Sequence, residues 1–301
     1  MRRGKRYSCQ MVSSPAKGKI VPRNEVDTVV ASIPPFSMHR CVSIAFGPPQ
    51  ERPRNLGTAT VVKMFGGVFL VTAKHVVDSG PAKEFPWRLL VPARDSAGRI
   101  PDRASLSPRA IPIDSSAVIW TSELNDVAVL RAPPELHTDS FDGEPRAVAV
   151  ARSARETWDQ SAAQDAFQMV VITGFPLFGR NDQPDHIQYS LMSLPGFIVH
   201  AHKPGQNIDV PTFKLNLGCT TMHAQWQDEP LAAKFFAQLS ADDGGRALAG
   251  MSGGPVVIAA DTGFYLVGIL SEGSKALETG IAVPWDVIHA EFADSLVVGK
   301  K

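Results

Sequence analysis

Three short stretches carry residue types that could act together on a substrate. "GMSGGPVV" (250–257) sets Ser252 among three glycines, just before a proline and a β-branched run; "FLVTAKHVVD" (69–78) ends an apolar run and presents His75; "TSELNDVAVLRA" (121–132) turns at Leu124 and Asn125 and places Asp126 before another apolar run. A serine hydroxyl is a weak nucleophile at neutral pH, so it needs a base to accept its proton and a third group to orient that base. Taken singly, a histidine beside valines is more often packed in a structural role, and an aspartate before a strand more often forms a turn. Their joint presence, in the order His75, Asp126, Ser252, is what points to nucleophilic catalysis.

The elements that must position these groups are β-strands. From Arg40 the chain breaks into short β-rich runs divided by Gly, Pro, Asp and Asn: "CVSIAFG", "GTATVVKM", "GVFLVTA", "RLLVPA", "SAVIWT" and "DVAVLRA". The polar stretch "PPELHTDSFDGEPR" reads as a linker, after which come "AVAVA", "FQMVVITGF", "QYSLMSLPGFIVHAH", "TFKLNL", "PVVIAA", "FYLVGILS" and "GIAVP". The pattern predicts an all-β protein of two similar units in tandem. "SARETWDQSAAQDA" and "QWQDEPLAAKFFAQLSADDGGRALA" carry helix formers instead and read as surface insertions. "PWDVIHAEFADSL" opens with proline, has an acid in its first turn and spaces Val287, Ile288, Phe292 and Leu296 on one face, which predicts a C-terminal helix over 284–296.

The remaining boundaries are a basic tail over 1–35, a first unit over 36–140 and a second over 141–283. Apolar residues make up 44% of the 301 residues and charged ones 20%, with 30 Lys and Arg against 30 Asp and Glu. That is an ordinary globular profile with no global field to draw nucleic acid or a membrane surface. Arg2, Arg3, Lys5 and Arg6 read as a solvated tail. The N-terminus lacks the apolar core of a secretory signal and no run is long enough to span a bilayer, so the expected location is the cytoplasm. Cys9, Cys41 and Cys219 are odd in number and widely spaced, which fits reduced thiols rather than a disulfide framework. His200 and His202 alternate on a strand but lack a third ligand, so neither a metal nor an organic cofactor is expected.

"TAKHVV", "NDVAVL" and "GMSGGPVV" resemble, in order, the catalytic blocks of the trypsin-like (chymotrypsin-fold) serine peptidases, above all the bacterial and intracellular branch that includes the HtrA-type proteases. "GTATVV", "ITGFP", "LVGILSEG" and "GIAVPWDVI" extend the likeness over roughly Arg40 to Phe292. The resemblance implies two six-stranded antiparallel β-barrels with a cleft between them, and a serine endopeptidase acting on protein or peptide substrates. It implies Ser252 as nucleophile, His75 as general acid–base, Asp126 as orienting carboxylate, and the backbone N–H groups of Gly250 and Ser252 as an oxyanion hole. It further implies that Ser271 supports the aspartate and that Ser271 and Gly273 pair with extended substrate. Arg246 near the pocket base and Glu272 on its wall leave three readings open: a basic pocket, a small apolar pocket lined by Ala247 and Ala249, or two solvated charges.

The chain departs from the resemblance in places. Met251 stands where the extracellular members carry the aspartate of their activation ion pair, their disulfides are not expected here, and no PDZ module is expected after the terminal helix. Regulation, including latency until a partner or ligand binds, would then involve the stretch between Cys219 and Ala249. The competing expectation is a peptidase-fold scaffold without turnover, against which an intact triad argues.

Overall fold

The computed structural model describes residues 37, 39–47, 55–91, 109–138, 140–141, 144–149, 169–176, 181–182, 187–188, 191–201, 213–216, 249–260, 263–273 and 279–298. The chain is all-β, two antiparallel units in tandem closed by a C-terminal helix. The first unit holds β1 (Cys41–Phe46), β2 (Asn55–Met64), β3 (Gly67–Ala73), β4 (Trp87–Val91), β5 (Arg109–Ile113), β6 (Val118–Ser122) and β7 (Val127–Arg131). They lie in one sheet in the order β5-β4-β1-β2-β3-β7-β6. Two short strands, β8 (Ser140–Phe141) and β9 (Glu144–Pro145), make a hairpin, and β10 (Val148–Ala149) then lies parallel on β2. Val148–Ala149, counted with the second unit in the sequence, is therefore hydrogen-bonded to the first.

The second unit is a closed barrel of β11 (Met169–Gly174), β14 (Met192–Ala201), β15 (Phe213–Asn216), β18 (Thr279–Pro284), β17 (Gly263–Gly273) and β16 (Pro255–Ala260). A small hairpin, β12 (Asn181–Asp182) with β13 (Ile187–Gln188), stands apart from it. The final helix covers Trp285–Val298. The two insertions expected over 153–166 and 225–249 lie almost wholly outside the described residues.

Strand side chains alternate between faces. β2, β3 and β7 carry apolar residues on both faces, and each set has its own destination. Ala59, Val61, Leu70, Ala128 and Leu130 fill the core of the first unit with Val42, Ile44, Phe46 and Leu89. Val62, Met64, Val71, Val127 and Val129 point the other way, into a cluster with Val171, Val257, Leu266, Ile269 and Val283 of the barrel. Burying one such side chain is worth about 1.5–3 kcal/mol. A slip of one residue in any of these strands would exchange the two sets, so the seam between the units and the register of the first sheet are fixed together.

The C-terminal helix crosses this seam. Its Trp285, Ile288 and Phe292 belong to the seam cluster. The Phe292 ring lies 5.6 Å from that of Phe69 and 5.8 Å from that of Trp120, so the helix grips the first unit as well as the barrel.

Candidate active site

His75 and Asp126 are brought together by the register of one strand pair. β3 and β7 run antiparallel with Ala73 opposite Val127, so the chain leaving β3 and the chain entering β7 are neighbours. After Ala73 the backbone enters a short helix, Lys74–Asp78, seated by the buried Val76 and Val77. β2 passes close beneath that turn. A Cβ on Gly57 would lie 2.4 Å from Val76 Cγ1, which is why a glycine opens "GTATVV".

Asp126 ends the turn between β6 and β7 with φ +51°, a left-handed conformation that Asp and Asn tolerate better than most residues. The strain is held by bonds from the histidine segment. Lys74 N–H donates to the Asp126 carbonyl at 2.9 Å and His75 N–H to Asp126 Oδ1 at 2.9 Å. The imidazole completes the set, its Nδ1 lying 2.8 Å from Asp126 Oδ2. A carboxylate only accepts, so Nδ1 carries the proton and Nε2 keeps a lone pair. The His75 side chain is 52% exposed.

The second unit reaches the same carboxylate. Ser271 Oγ donates to Asp126 Oδ2 at 2.6 Å. The β17–β18 register steps from Leu270 opposite Ala282 to Glu272 opposite Ile281, which leaves Ser271 as the extra residue of a bulge. Bulges re-aim a side chain in this way next to functional sites. Burial, the largest influence on Asp126, pushes its carboxyl up, but the hydrogen bonds from His75 and Ser271, the nearby imidazole and the His75 amide outweigh it and hold the group below the usual carboxylate range. The carboxylate is thus ionised and ready to stabilise a cationic imidazole.

Ser252 lies on a turn whose backbone is tied to both units. Thr58 N–H of β2 donates to the Ser252 carbonyl at 2.9 Å, Gly253 N–H to the Leu270 carbonyl at 2.7 Å, and Leu270 N–H returns to the Gly254 carbonyl at 2.9 Å. Leu270 is the neighbour of Ser271. Gly250 and Gly253 take φ of +90° and +92°, conformations reached cheaply by glycine alone. Among the described residues, neither the Gly250 nor the Ser252 N–H donates to a backbone carbonyl.

Of the other expected positions, Glu272 and Gly273 end β17 opposite Ile281 and Gly280. Arg246 and Ala247 lie outside the described residues, as does His202, while His200 sits in β14. No group of three or more His, Cys, Asp or Glu among the described residues converges as a metal site would require. No described helix is long and apolar enough to cross a membrane. Cys41 is a buried free thiol, pushed far up by burial, the effect of Arg146 and Arg40 notwithstanding.

One contact was not foreseen. Asn125 is buried, and its Nδ2 donates to Glu291 Oε1 of the C-terminal helix at 2.5 Å. The helix thereby holds the turn that presents Asp126. An Asn before an Asp reads as a turn former, and only the three-dimensional path of the helix shows its partner.

No family model matches the chain, and no curated protein matches it. Among solved structures it is similar to the serine endoprotease from Yersinia pestis, at 14% identity and a TM-score of 0.46, over 88% of this chain and 65% of that one. It is also similar to the active form of the Rv3671c protease from M. tuberculosis, at 15% identity and a TM-score of 0.47, over 97% of this chain and 92% of that one. This chain therefore spans just under two thirds of the Yersinia protein's length. At such values the likeness carries nothing about catalysis, which has to be argued from the residues themselves.

Proposed function

We propose that the chain is a serine endopeptidase that hydrolyses peptide bonds in protein substrates. One observation carries the reading: an exposed imidazole whose Nδ1 is held by an ionised carboxylate, itself held by Ser271 from the other unit. That is the arrangement a base needs when it must accept a proton on Nε2 and carry a positive charge briefly.

In this reading Ser252 Oγ attacks the substrate carbonyl carbon while His75 Nε2 takes the hydroxyl proton. The oxyanion that forms is met by the Gly250 and Ser252 N–H groups. His75 then delivers the proton to the leaving amine nitrogen and the C–N bond breaks, leaving an acyl ester on Ser252. Water attacks that ester with His75 again as base, and the acid product leaves with Ser252 restored. Asp126 keeps the tautomer throughout and stays ionised. Preorganised amides at the oxyanion supply about 10²- to 10³-fold each. Ser271 and Gly273 of β17 offer backbone groups to an extended peptide. No metal or organic cofactor is required.

The test is covalent. The purified protein is treated with a fluorophosphonate probe and mapped by mass spectrometry, and cleavage of a peptide library is compared with that of Ser252→Ala. Label on Ser252, and cleavage lost in the variant, support the reading. Label that comes only with an added partner identifies a latent form of the same enzyme. Peptide binding with neither label nor cleavage under any condition overturns it in favour of a scaffold without turnover.

A further inference from the structure

We propose that Thr58 is a positioning residue for the oxyanion turn, acting through its side-chain hydroxyl; the inference rests on the peptidase reading of Ser252. Thr58 is fully buried on β2, in the first unit, yet its N–H and hydroxyl make three hydrogen bonds to the second unit. Its N–H donates to the Ser252 carbonyl at 2.9 Å. Its Oγ1 donates to the Gly250 carbonyl at 2.7 Å and accepts from Phe175 N–H at 3.0 Å. Its carbonyl in turn accepts from Thr72 Oγ1 at 2.6 Å, three residues before His75.

The consequence follows from the planarity of the peptide. Fixing a carbonyl fixes the plane of its peptide and sends the N–H of the next residue the opposite way. The Met251 carbonyl is held by Gly254 N–H at 2.9 Å, which sends the Ser252 N–H the opposite way. The Gly253 carbonyl is held by Thr60 Oγ1 at 2.9 Å. The Gly250 carbonyl is held by Thr58 Oγ1, which fixes the plane of the Gly250–Met251 peptide, the link between the two donor amides. Gly250, with φ +90° and no Cβ, restrains that link little by itself. The Thr58 hydroxyl supplies the restraint, and without it the link between the Gly250 and Ser252 amides is free to turn. One strand of the first unit thus pins the middle of the oxyanion turn of the second, just as Ser271 of the second unit holds the carboxylate of the first.

The test compares Thr58→Val, which keeps the shape and removes the hydroxyl, with Thr58→Ser, which keeps the hydroxyl. Readouts are kcat and KM separately, thermal unfolding, and affinity for a peptidyl boronic acid that forms a tetrahedral adduct on Ser252. Thr58→Val is expected to lose about 10- to 100-fold in kcat with KM within about twofold, and to lose boronate affinity in parallel. Thr58→Ser is expected to retain both within about threefold. If the valine variant does not fold, Thr58→Ala and Thr58→Ser, which differ by one oxygen, take the place of the pair. Equal kcat in variants with and without the hydroxyl overturns the proposal, and so does a hydroxyl needed for folding in every variant lacking it. A wild type that neither cleaves nor takes label counts against the peptidase reading instead.

Discussion

Ser271 and Asp126 lie 145 residues apart in sequence and are joined by a 2.6 Å hydrogen bond across the seam between the two units. The oxygen that receives it, Oδ2, is the one that also holds His75 Nδ1. The bond therefore ties assembly of the two units to orientation of the imidazole. Ser271→Ala is expected to lower kcat about tenfold with little change in KM, since one charge-assisted bond to a partly solvated carboxylate is lost while the pair with His75 remains. Unchanged kcat in a folded variant would show that water replaces the hydroxyl without loss.

Replacing the carboxylate itself separates chemistry from folding. Asparagine tolerates the left-handed backbone of position 126 and matches the shape of aspartate, but its amide cannot hold the imidazole in the same tautomer. Asp126→Asn is expected to fold and to lose about 10⁴-fold in kcat. Asp126→Ala should lose a similar factor and, in addition, about 1–2 kcal/mol of stability from alanine forced into that backbone. Thermal unfolding of the two variants side by side distinguishes the terms.

The same carboxylate gives a stability that depends on acid. Burial raises Asp126, the bonds from His75 and Ser271 lower it by more, and its native value falls below the ordinary 3.8. A group of this kind binds protons less readily folded than unfolded. Its contribution is complete above about 3.8, and it is lost as the pH falls through the lower native value. Denaturant unfolding of the wild type and Asp126→Asn at a series of pH values should give a difference that is constant near neutrality and narrows in acid. A difference that widens on acidification would mean that the carboxyl is raised by folding.

What the sequence discloses and what it hides divide along physical lines. His75, Asp126 and Ser252 stand out because turns need Gly, Asn and Asp, and the strands between them need β-branched residues; both demands are local. The β-rich class and the C-terminal helix are legible for the same reason. The double allegiance of β2, β3 and β7 is not, because an apolar residue looks the same in sequence whichever of the two cores its face meets. Thr58 in "GTATVV" reads as an ordinary strand residue, and Ser271 stood out only through a resemblance. Their partners lie more than a hundred residues away, at distances set by strand register and a single bulge.

Asn125 and Glu291 make a further long-range prediction. The pair connects the turn before Asp126 to the helix that Phe292 anchors against Phe69 and Trp120. Asn125→Ala leaves a carboxylate without its partner and removes a restraint on a strained turn, so about 1–3 kcal/mol of stability and severalfold in kcat should be lost together. Glu291→Gln keeps the acceptor oxygen and should fall much less. Equal effects from the two would place the role in helix packing and not in the bond.

Two glycines with the same backbone preference give the sharpest steric test. Gly253 and Gly66 have φ of +92° and +79°, so alanine at either meets a similar conformational penalty. Their surroundings are opposite. A Cβ at Gly66 meets nothing within 4 Å, whereas at Gly253 it would lie 1.9 Å from the Thr58 carbonyl oxygen, 2.4 Å from Thr72 Oγ1 and 2.9 Å from Thr72 Cα. Two of those atoms are backbone of β2 and β3, strands that also carry both apolar clusters, so they cannot yield without opening the seam. Gly66→Ala should cost only the backbone term, about 1–2 kcal/mol, with kcat preserved. Gly253→Ala should separate the serine turn from β2, breaking the Thr58 to Ser252 bond and abolishing turnover, with a fall in the unfolding midpoint well beyond that of Gly66→Ala. Equal midpoints and retained turnover in both would mean that the serine turn does not need the close approach to β2.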